Sequence, residues 1–320
     1  MSIKFSFIIP IYNEKDSILK LVNEIKDSLN GKLSLKEFEI IFVDDGSDDG
    51  SSKLLKEIQK TKEYIRYIKI RSNQGKSMAL SVGFNYAKGK YIITMDGDLQ
   101  DNPKDIFKLY EKLKSGFDMV VGVRKKRNDQ YTRKLGSRIF NFFVSKLSGL
   151  HLSDINCGFK IFKSTVKENI DIYGQFHRYI PVVAYLNGFS VGEQSIDNRA
   201  REFGKSKFKT IRYESIFDLI SILFLHKFSL SPLHFFGKIS LLFIIPSVSI
   251  IIYFVMKHLL SLIGLGDYQL FSRPLFSMSL TVLLIGILIL LTGIICDFIL
   301  HHQVKIKLKE KVKNISEEVL

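Results

Sequence analysis

The sequence predicts an α/β fold: a mostly parallel sheet flanked by helices, followed by amphipathic interface helices and two transmembrane α-helices. Three observations carry this. From Lys4 to about Phe117, short runs rich in β-branched and aromatic residues alternate with longer stretches of helical period, joined by polar turns. Beyond Pro232 lie two apolar runs, each long enough to cross a hydrocarbon layer of ~30 Å. With 320 residues and 46% apolar content, the chain can form a packed core as well as those runs.

The strands expected in order are Phe5 to Ile9, Glu39 to Val43, Ile65 to Ile70, Tyr91 to Met95 and Asp118 to Val123. Helices expected between them are Glu14 to Leu29, Ser51 to Thr61, Lys76 to Ala87 and Pro103 to Ser115. From Arg124 to Arg212 the pattern becomes irregular and basic, with Arg124, Lys125, Lys126, Arg127, Arg133, Lys134 and Arg138 in one cluster. A second cluster holds Arg199, Arg201, Lys205, Lys207, Lys209 and Arg212. Such clusters are ordinarily solvated surface, but a position after strand ends, where α/β sheets bind ligands, points to anion binding.

After Tyr213, Ile216, Leu219, Ile220, Leu223 and Phe224 share one helical face, as in a helix lying on a membrane surface. The transmembrane runs span about 235–256 and 275–300. Between them only Lys257 and Arg273 are basic, whereas the tail carries Lys305, Lys307, Lys309, Lys311 and Lys313. Positive-inside bias places the tail and the amino-terminal part in the cytoplasm. The expected organisation is 1–212 catalytic, 213–232 interfacial, 233–300 membrane-spanning and 301–320 a basic tail. Lys238 and Asp297 lie near span ends and can snorkel. The start, from Met1 to Pro10, lacks the pattern of a signal peptide. Two distant cysteines, Cys157 and Cys296, make no disulfide framework.

The formal charge of +15 fits nucleic acid, an anionic membrane or phosphate-bearing substrates. The motifs favour the last two. Asp96-Gly97-Asp98-Leu99-Gln100 follows the fourth strand, and two carboxylates one residue apart at a strand end can converge on one hard cation. Pro10-Ile11-Tyr12-Asn13-Glu14 ends the first strand, and Asp44-Asp45-Gly46-Ser47-Asp48-Asp49-Gly50 follows the second. In a parallel sheet these three strand ends line one crevice. Each also has a local reading, Asn13 as a helix cap and Asp48-Asp49-Gly50 as a capping turn.

Together these motifs resemble those of inverting family-2 glycosyltransferases with a GT-A (Rossmann-like) fold. Within that family the chain is similar to polyprenyl-phosphate sugar transferases that finish in two membrane helices. The resemblance implies that Pro10, Tyr12, Glu14, Asp44 and Asp45 hold the base and ribose of a nucleotide-sugar donor. It implies that Asp96, Gly97, Asp98 and Gln100 bind the diphosphate, with Asp96 and Asp98 as ligands of a divalent metal, Mg2+ or Mn2+. The stretch Arg201-Glu202-Phe203-Gly204-Lys205-Ser206-Lys207 is similar to the family's phosphate-binding loop, which gives Arg201 and Lys207 to the donor. Arg124, Arg127, Arg133 and Ser137 would receive the phosphate of the lipid acceptor, and the segment from Asp154 to Lys160 looks like the family's acceptor side. Where many relatives carry a histidine, this chain has Asn198, which can hydrogen-bond but cannot take a charge.

The implied partners are a nucleotide sugar, a polyprenyl (undecaprenyl or dolichyl) phosphate and the membrane, without nucleic acid. Homo-oligomers could form through Gly286 and Gly293. A UDP-sugar such as UDP-glucose is the expected donor, with GDP-mannose the alternative. A processive polysaccharide synthase shares the first motifs, but its Gln-x-x-Arg-Trp segment has no counterpart in a chain without tryptophan. No Gly-x-Gly-x-x-Gly follows the first strand, which speaks against a dehydrogenase. A catalytically silent scaffold is the reading from outside enzymes.

Overall fold

The computed structural model describes residues 3–124, 144–170, 174, 176–200, 202, 218–219, 221–222, 224, 231–263 and 273–318, with side chains as far as 302. The chain divides into two compact units, Met1–Ile222 and Leu223–Leu320.

In the first unit the strands are β1 (Phe5–Ile11), β2 (Phe38–Asp44), β3 (Ile65–Lys69), β4 (Tyr91–Thr94), β5 (Met119–Arg124), β6 (Lys160–Lys163) and β7 (Val191–Ile196). The helices are α1 (Lys15–Leu29), α2 (Ser51–Thr61), α3 (Lys76–Tyr86), α4 (Ile106–Lys114), α5 (Ser164–Glu168) and α6 (Ile180–Leu186). Among the described residues the strands form one sheet in the order β3-β2-β1-β4-β6-β5-β7. Parallel pairs join β1 to β2 and β4, β2 to β3, and β5 to β7.

Strand β6 lies between β4 and β5 and runs antiparallel to both. Its entry therefore sits at the edge where the parallel strands end, and residues 154–159 pass into the sheet directly at that edge. The expected parallel strands and helices up to Lys114 are present, while the stretch expected to be irregular after Arg124 contains β6, α5, α6 and β7.

Central strands read as continuous apolar runs because both of their faces are covered. Phe7, Ile8, Ile9, Ile40, Ile41, Phe42, Ile92 and Ile93 are fully buried. Helix α1 supplies one cover through Ile18, Leu21, Val22, Ile25 and Leu29, a spacing that forms one apolar stripe. Phe5 meets Tyr91, Phe107 and Tyr110 edge-on at 5.9, 6.4 and 5.1 Å. Within this core the Glu39 carboxylate is fully engaged: Ser6 Oγ donates at 2.6 Å, Lys88 N–H at 2.8 Å and Arg66 at 2.9 Å. A buried carboxylate is tolerated on those terms.

The second unit holds α7 (Pro232–Leu262) and α8 (Pro274–Glu318). Both are longer than the expected spans, and the expected separate tail continues α8. The candidate spans, Pro232–Leu262 and Pro274–His302, are buried over only 17% and 11% of their most apolar windows, so they do not form the core of a water-soluble globule. The two helices approach through small residues: a Cβ on Gly286 would lie 2.7 Å from Ile244 Cγ1, and one on Gly293 2.8 Å from Phe236 Cβ. Ser240, Ser247 and Ser279 on these helices are buried as well, and small residues are usual where helices pack in lipid. Gly286 and Gly293 thus lie against α7 of the same chain. Of the expected interfacial helix, Asp218, Leu219, Ser221, Ile222 and Phe224 are described and helical.

Candidate active site

The loops after β1 and β2 are knitted together. Asn13, at a positive φ of 53°, donates from Nδ2 to Asp48 Oδ1 at 2.7 Å and accepts Asp48 N–H at 2.9 Å. The N-cap position of α1 is Glu14, without a side-chain cap. Asp49 takes the N–H of Lys15 at 3.0 Å and that of Ser51 at 2.9 Å, so it closes the openings of α1 and α2 together.

Asp44 is fully buried and accepts from Ser47 N–H at 2.8 Å, from Tyr67 OH at 3.2 Å and from Ser52 Oγ. Asp45, also buried, accepts the N–H groups of Gln74 and Gly75 at 2.8 Å each. The two carboxylates that the sequence gives to the donor therefore also hold the protein: Asp44 fixes its own loop, and Asp45 holds the turn that opens α3. That turn carries Lys76, whose ammonium pairs with Asp96 Oδ1. One short segment thus joins the end of β2 to the motif after β4.

Around Asp96 the carboxylates crowd. Its N–H donates to Asp101 Oδ2 at 3.3 Å, and Gln100 N–H donates to Asp98 Oδ1 at 3.2 Å. Asp98 and Asp101 are buried. Burial raises the Asp96 carboxyl, but Lys76, helped by Lys160, brings it below its ordinary value. Asp101 is pushed up to about 7 by burial and by the charges of Asp96 and Asp98. Leu99, at φ 63°, turns the chain within the motif, and Ser17 Oγ holds Gly97 O at 2.6 Å.

Beneath Asp96 runs the segment leading into β6. A Cβ on Gly158 would fall 2.7 Å from Asp96 Oδ1 and 2.8 Å from Oδ2, so the carboxylate rests on bare backbone. Asp154 grips Arg124 with two hydrogen bonds, to Nε at 2.7 Å and NH2 at 3.0 Å. Burial lowers the Arg124 guanidinium and this pairing raises it, with a net rise. Arginine has five N–H donors, so three remain for other oxygens. Buried Lys160 donates to Cys157 O and is pulled down to about 8, chiefly by burial. The Cys157 thiol is buried and pushed up to about 12 by burial and by Asp101, which disfavours the thiolate.

The chain after β7 returns to this edge. Asn198 bridges to Asp101, and Arg199 N–H donates to Gln100 O at 2.9 Å. The Arg199 side chain is held by Glu24 at 2.9 and 3.0 Å and by Asn102 at 2.7 Å, so this member of the second basic cluster is an anchor. Arg127, Arg133, Ser137, Arg201 and Lys207 lie outside the described residues. Pro10, Tyr12 and Glu14 stand at the end of β1 and the entry to α1.

Sequence reasoning missed Lys76, Asp101 and His177, and it gave the segment holding Gly158 to the acceptor without its contact with Asp96. Lys76 had a signal, a lysine after Asn73-Gln74-Gly75 at a helix start, but nothing in the sequence placed it against a carboxylate 20 residues later. Among the described residues no group of three or more His, Cys, Asp and Glu side chains forms a ready-made metal cage. The donor set nonetheless fits a hard divalent cation, because Mg2+-type sites use one or two carboxylates and complete themselves with substrate phosphates. Burial first, and then the charges of Asp96 and Asp98, raise the Asp101 carboxyl, and a cation at this edge would offset that repulsion.

Carboxylates and cations gathered where parallel strands end, with helices on both faces, define an α/β enzyme domain with its ligand site at that edge. A family model described as "Glycosyl transferase family 2" matches residues 6–170; the chain belongs to this family and is a glycosyltransferase with a GT-A fold.

Two curated relatives specify the similarity. The chain is 31% identical over 304 residues to a dodecaprenyl-phosphate galacturonate synthase of Rhizobium johnstonii, covering 93% of this chain and 88% of that one. An alignment that long extends beyond the first unit into the apolar helices. It is 32% identical over 222 residues to an undecaprenyl-phosphate 4-deoxy-4-formamido-L-arabinose transferase of Salmonella choleraesuis, covering 69% and 67%. The crystal structure of a mycobacterial protein shares the fold, with a TM-score of 0.50 at 16% identity over 70% of this chain and 74% of that one.

Proposed function

We propose that the chain transfers a sugar from a nucleotide donor, a UDP-sugar such as UDP-glucose, to a polyprenyl phosphate at the cytoplasmic face of a membrane, with inversion. The observation that carries this reading is the link between Asp45 and Asp96 through the turn 74–76. It joins the nucleoside side of the crevice to the carboxylates on the diphosphate side. The relatives named for dodecaprenyl and undecaprenyl phosphates, and the two long apolar helices, support a lipid acceptor. The sugars named for those relatives differ from each other, so the sugar itself rests on the panel below.

A divalent cation held by Asp96 and Asp98 would neutralise the diphosphate and favour its departure. The chain's own residues do the rest. The acceptor is a phosphate monoester and already anionic, so it needs no strong base, and positioning with charge neutralisation supplies the catalysis. Arg124, oriented by Asp154, offers its remaining N–H groups to the acceptor phosphate, and arginine suits forked oxygen contacts. An acceptor oxygen attacks the anomeric carbon as its bond to the diphosphate breaks, and the nucleoside diphosphate leaves with both bonding electrons. Arg127, Arg133 and Ser137 are assigned to the acceptor, and Arg201 and Lys207 to the leaving group.

The test is a panel of UDP-glucose, UDP-galacturonate, UDP-4-deoxy-4-formamido-L-arabinose and GDP-mannose against undecaprenyl phosphate, with Mn2+ or Mg2+. One UDP-sugar should give a lipid-linked product, and Asp98→Ala should reduce turnover by about 100-fold or more. Transfer from GDP-mannose alone overturns the donor assignment. Undiminished turnover in Asp98→Ala removes the role of that carboxylate.

A further inference from the structure

Lys76 is a charged side chain inside the site for which the transfer scheme has no task. Its backbone is pinned from both sides. On one side Gln74 and Gly75 donate to the two oxygens of Asp45 at 2.8 Å each. On the other, Ser77 Oγ lies 2.8 Å from His177 Nδ1 and accepts the His177 N–H at 3.1 Å. Gly75, at φ 90°, makes the sharp turn into α3, a conformation that side chains resist. What can move is the four-carbon arm, and its ammonium rests on Asp96 Oδ1, the two side chains being 22% and 35% exposed.

The far side of Asp96 is closed by the Gly158 backbone, which leaves no room for a side chain. Asp96 is therefore held between bare backbone and an ammonium. A divalent cation must compete with that ammonium for the carboxylate, because like charges a few ångströms apart in a partly buried site repel strongly. Buried Lys160 adds a second positive charge acting on the same carboxylate. A lysine arm displaced here needs an anion within a few ångströms, and a donor bound between Asp45 and Asp96 would place its diphosphate there.

We propose that Lys76 is the resident counter-ion of Asp96, which it yields to the divalent cation and exchanges for the donor's diphosphate, so that cation and nucleotide load cooperatively. This rests on the reading of Asp96 as a metal-side carboxylate of a nucleotide-sugar transferase. The exchange makes each ligand strengthen the other, since whichever binds first frees a partner for the second. It also disfavours the cation alone, because the competent state, with Lys76 off Asp96, is then a minor one.

The test is direct Mn2+ binding to the full chain in detergent, read by the electron paramagnetic resonance of free Mn2+, with and without UDP. Without UDP, Lys76→Met should bind Mn2+ about three- to tenfold more tightly than wild type, since a competitor has been removed. Lys76→Arg, which keeps the charge, should resemble wild type. Adding UDP should tighten Mn2+ binding by a larger factor in wild type than in Lys76→Met. A lysine with a purely structural role would shift Mn2+ binding the other way on removal. Unchanged or weaker binding in Lys76→Met, or an equal UDP effect in both proteins, overturns the exchange alone. Wild type that binds no Mn2+, with or without UDP, overturns both the exchange and the metal reading beneath it.

Discussion

His177 shows how a single side chain ties stability to pH at this site. It is buried against Ser77 at the opening of α3. Its imidazole is pushed down to about 2, by burial first and then by Lys76, Arg178 and Lys160, against a small opposing effect of Asp96. The folded state therefore holds it neutral, while the unfolded chain takes up a proton near pH 6.5. Between those values the unfolded state binds more protons, so stability rises with pH, is complete above about 6.5 and is lost on acidification. The expected loss is about 1.4 kcal/mol for each pH unit below 6.5. His177→Asn keeps a polar atom for Ser77 but cannot charge. Denaturation midpoints measured at pH 7.5 and 5.5 should fall further for wild type than for this variant, and parallel falls would remove His177 as the cause. The carboxylates of the site were legible in the sequence because Asp-x-Asp at a strand end is a local pattern. Lys76, Asp101 and Gly158 were not, because their meaning lies in contacts: an ion pair across 20 residues, a shifted proton, and a missing Cβ under a carboxylate.

Elements were legible where burial imposed a period. β1, β2 and β4 are apolar on both faces, and α1 repeats its stripe over four turns, so their positions follow from hydrophobicity alone. β6 is four residues long with a lysine at each end, and β7 carries Gly192, Glu193 and Gln194 in its middle and is half exposed. Neither has a run long enough to read, and the inverted direction of β6 is a tertiary fact. That inversion is what brings the 154–159 segment to the site. In the second unit the decisive feature is also a contact: Gly286 lets α8 approach Ile244 of α7 closely. A side chain there must push the helices apart, since its Cβ would already stand 2.7 Å from Ile244 Cγ1. Gly286→Leu should therefore destabilise the helix pair by about 1–3 kcal/mol, read as a lower melting temperature in detergent. An unchanged melting temperature would mean that the two helices do not depend on this approach.

At the scale of the whole molecule, the charge of +15 and the two apolar helices are both what the proposed acceptor, a phosphate anchored in lipid, would require. Anionic headgroups attract basic surface, at about 1 kcal/mol for each Lys or Arg near the membrane. Two helices are long and apolar enough to span, Pro232–Leu262 and Pro274–His302, and a pair of crossings would bring the chain back to the side from which it entered. If both cross, the catalytic unit and the lysines from Lys305 to Lys313 share one face, and the stretch 264–272 lies on the other. Positive-inside bias gives the same arrangement independently, because the basic residues concentrate in the tail rather than in the connection. Cysteine labelling in sealed spheroplasts decides it, starting from a background in which Cys157 and Cys296 are replaced by serine. A membrane-impermeant maleimide should label Asp267→Cys in intact spheroplasts, and Glu317→Cys only after the membrane is opened. Labelling of both positions from outside, or of neither, would mean that one or both helices do not cross, and the catalytic unit would need another route to a lipid phosphate.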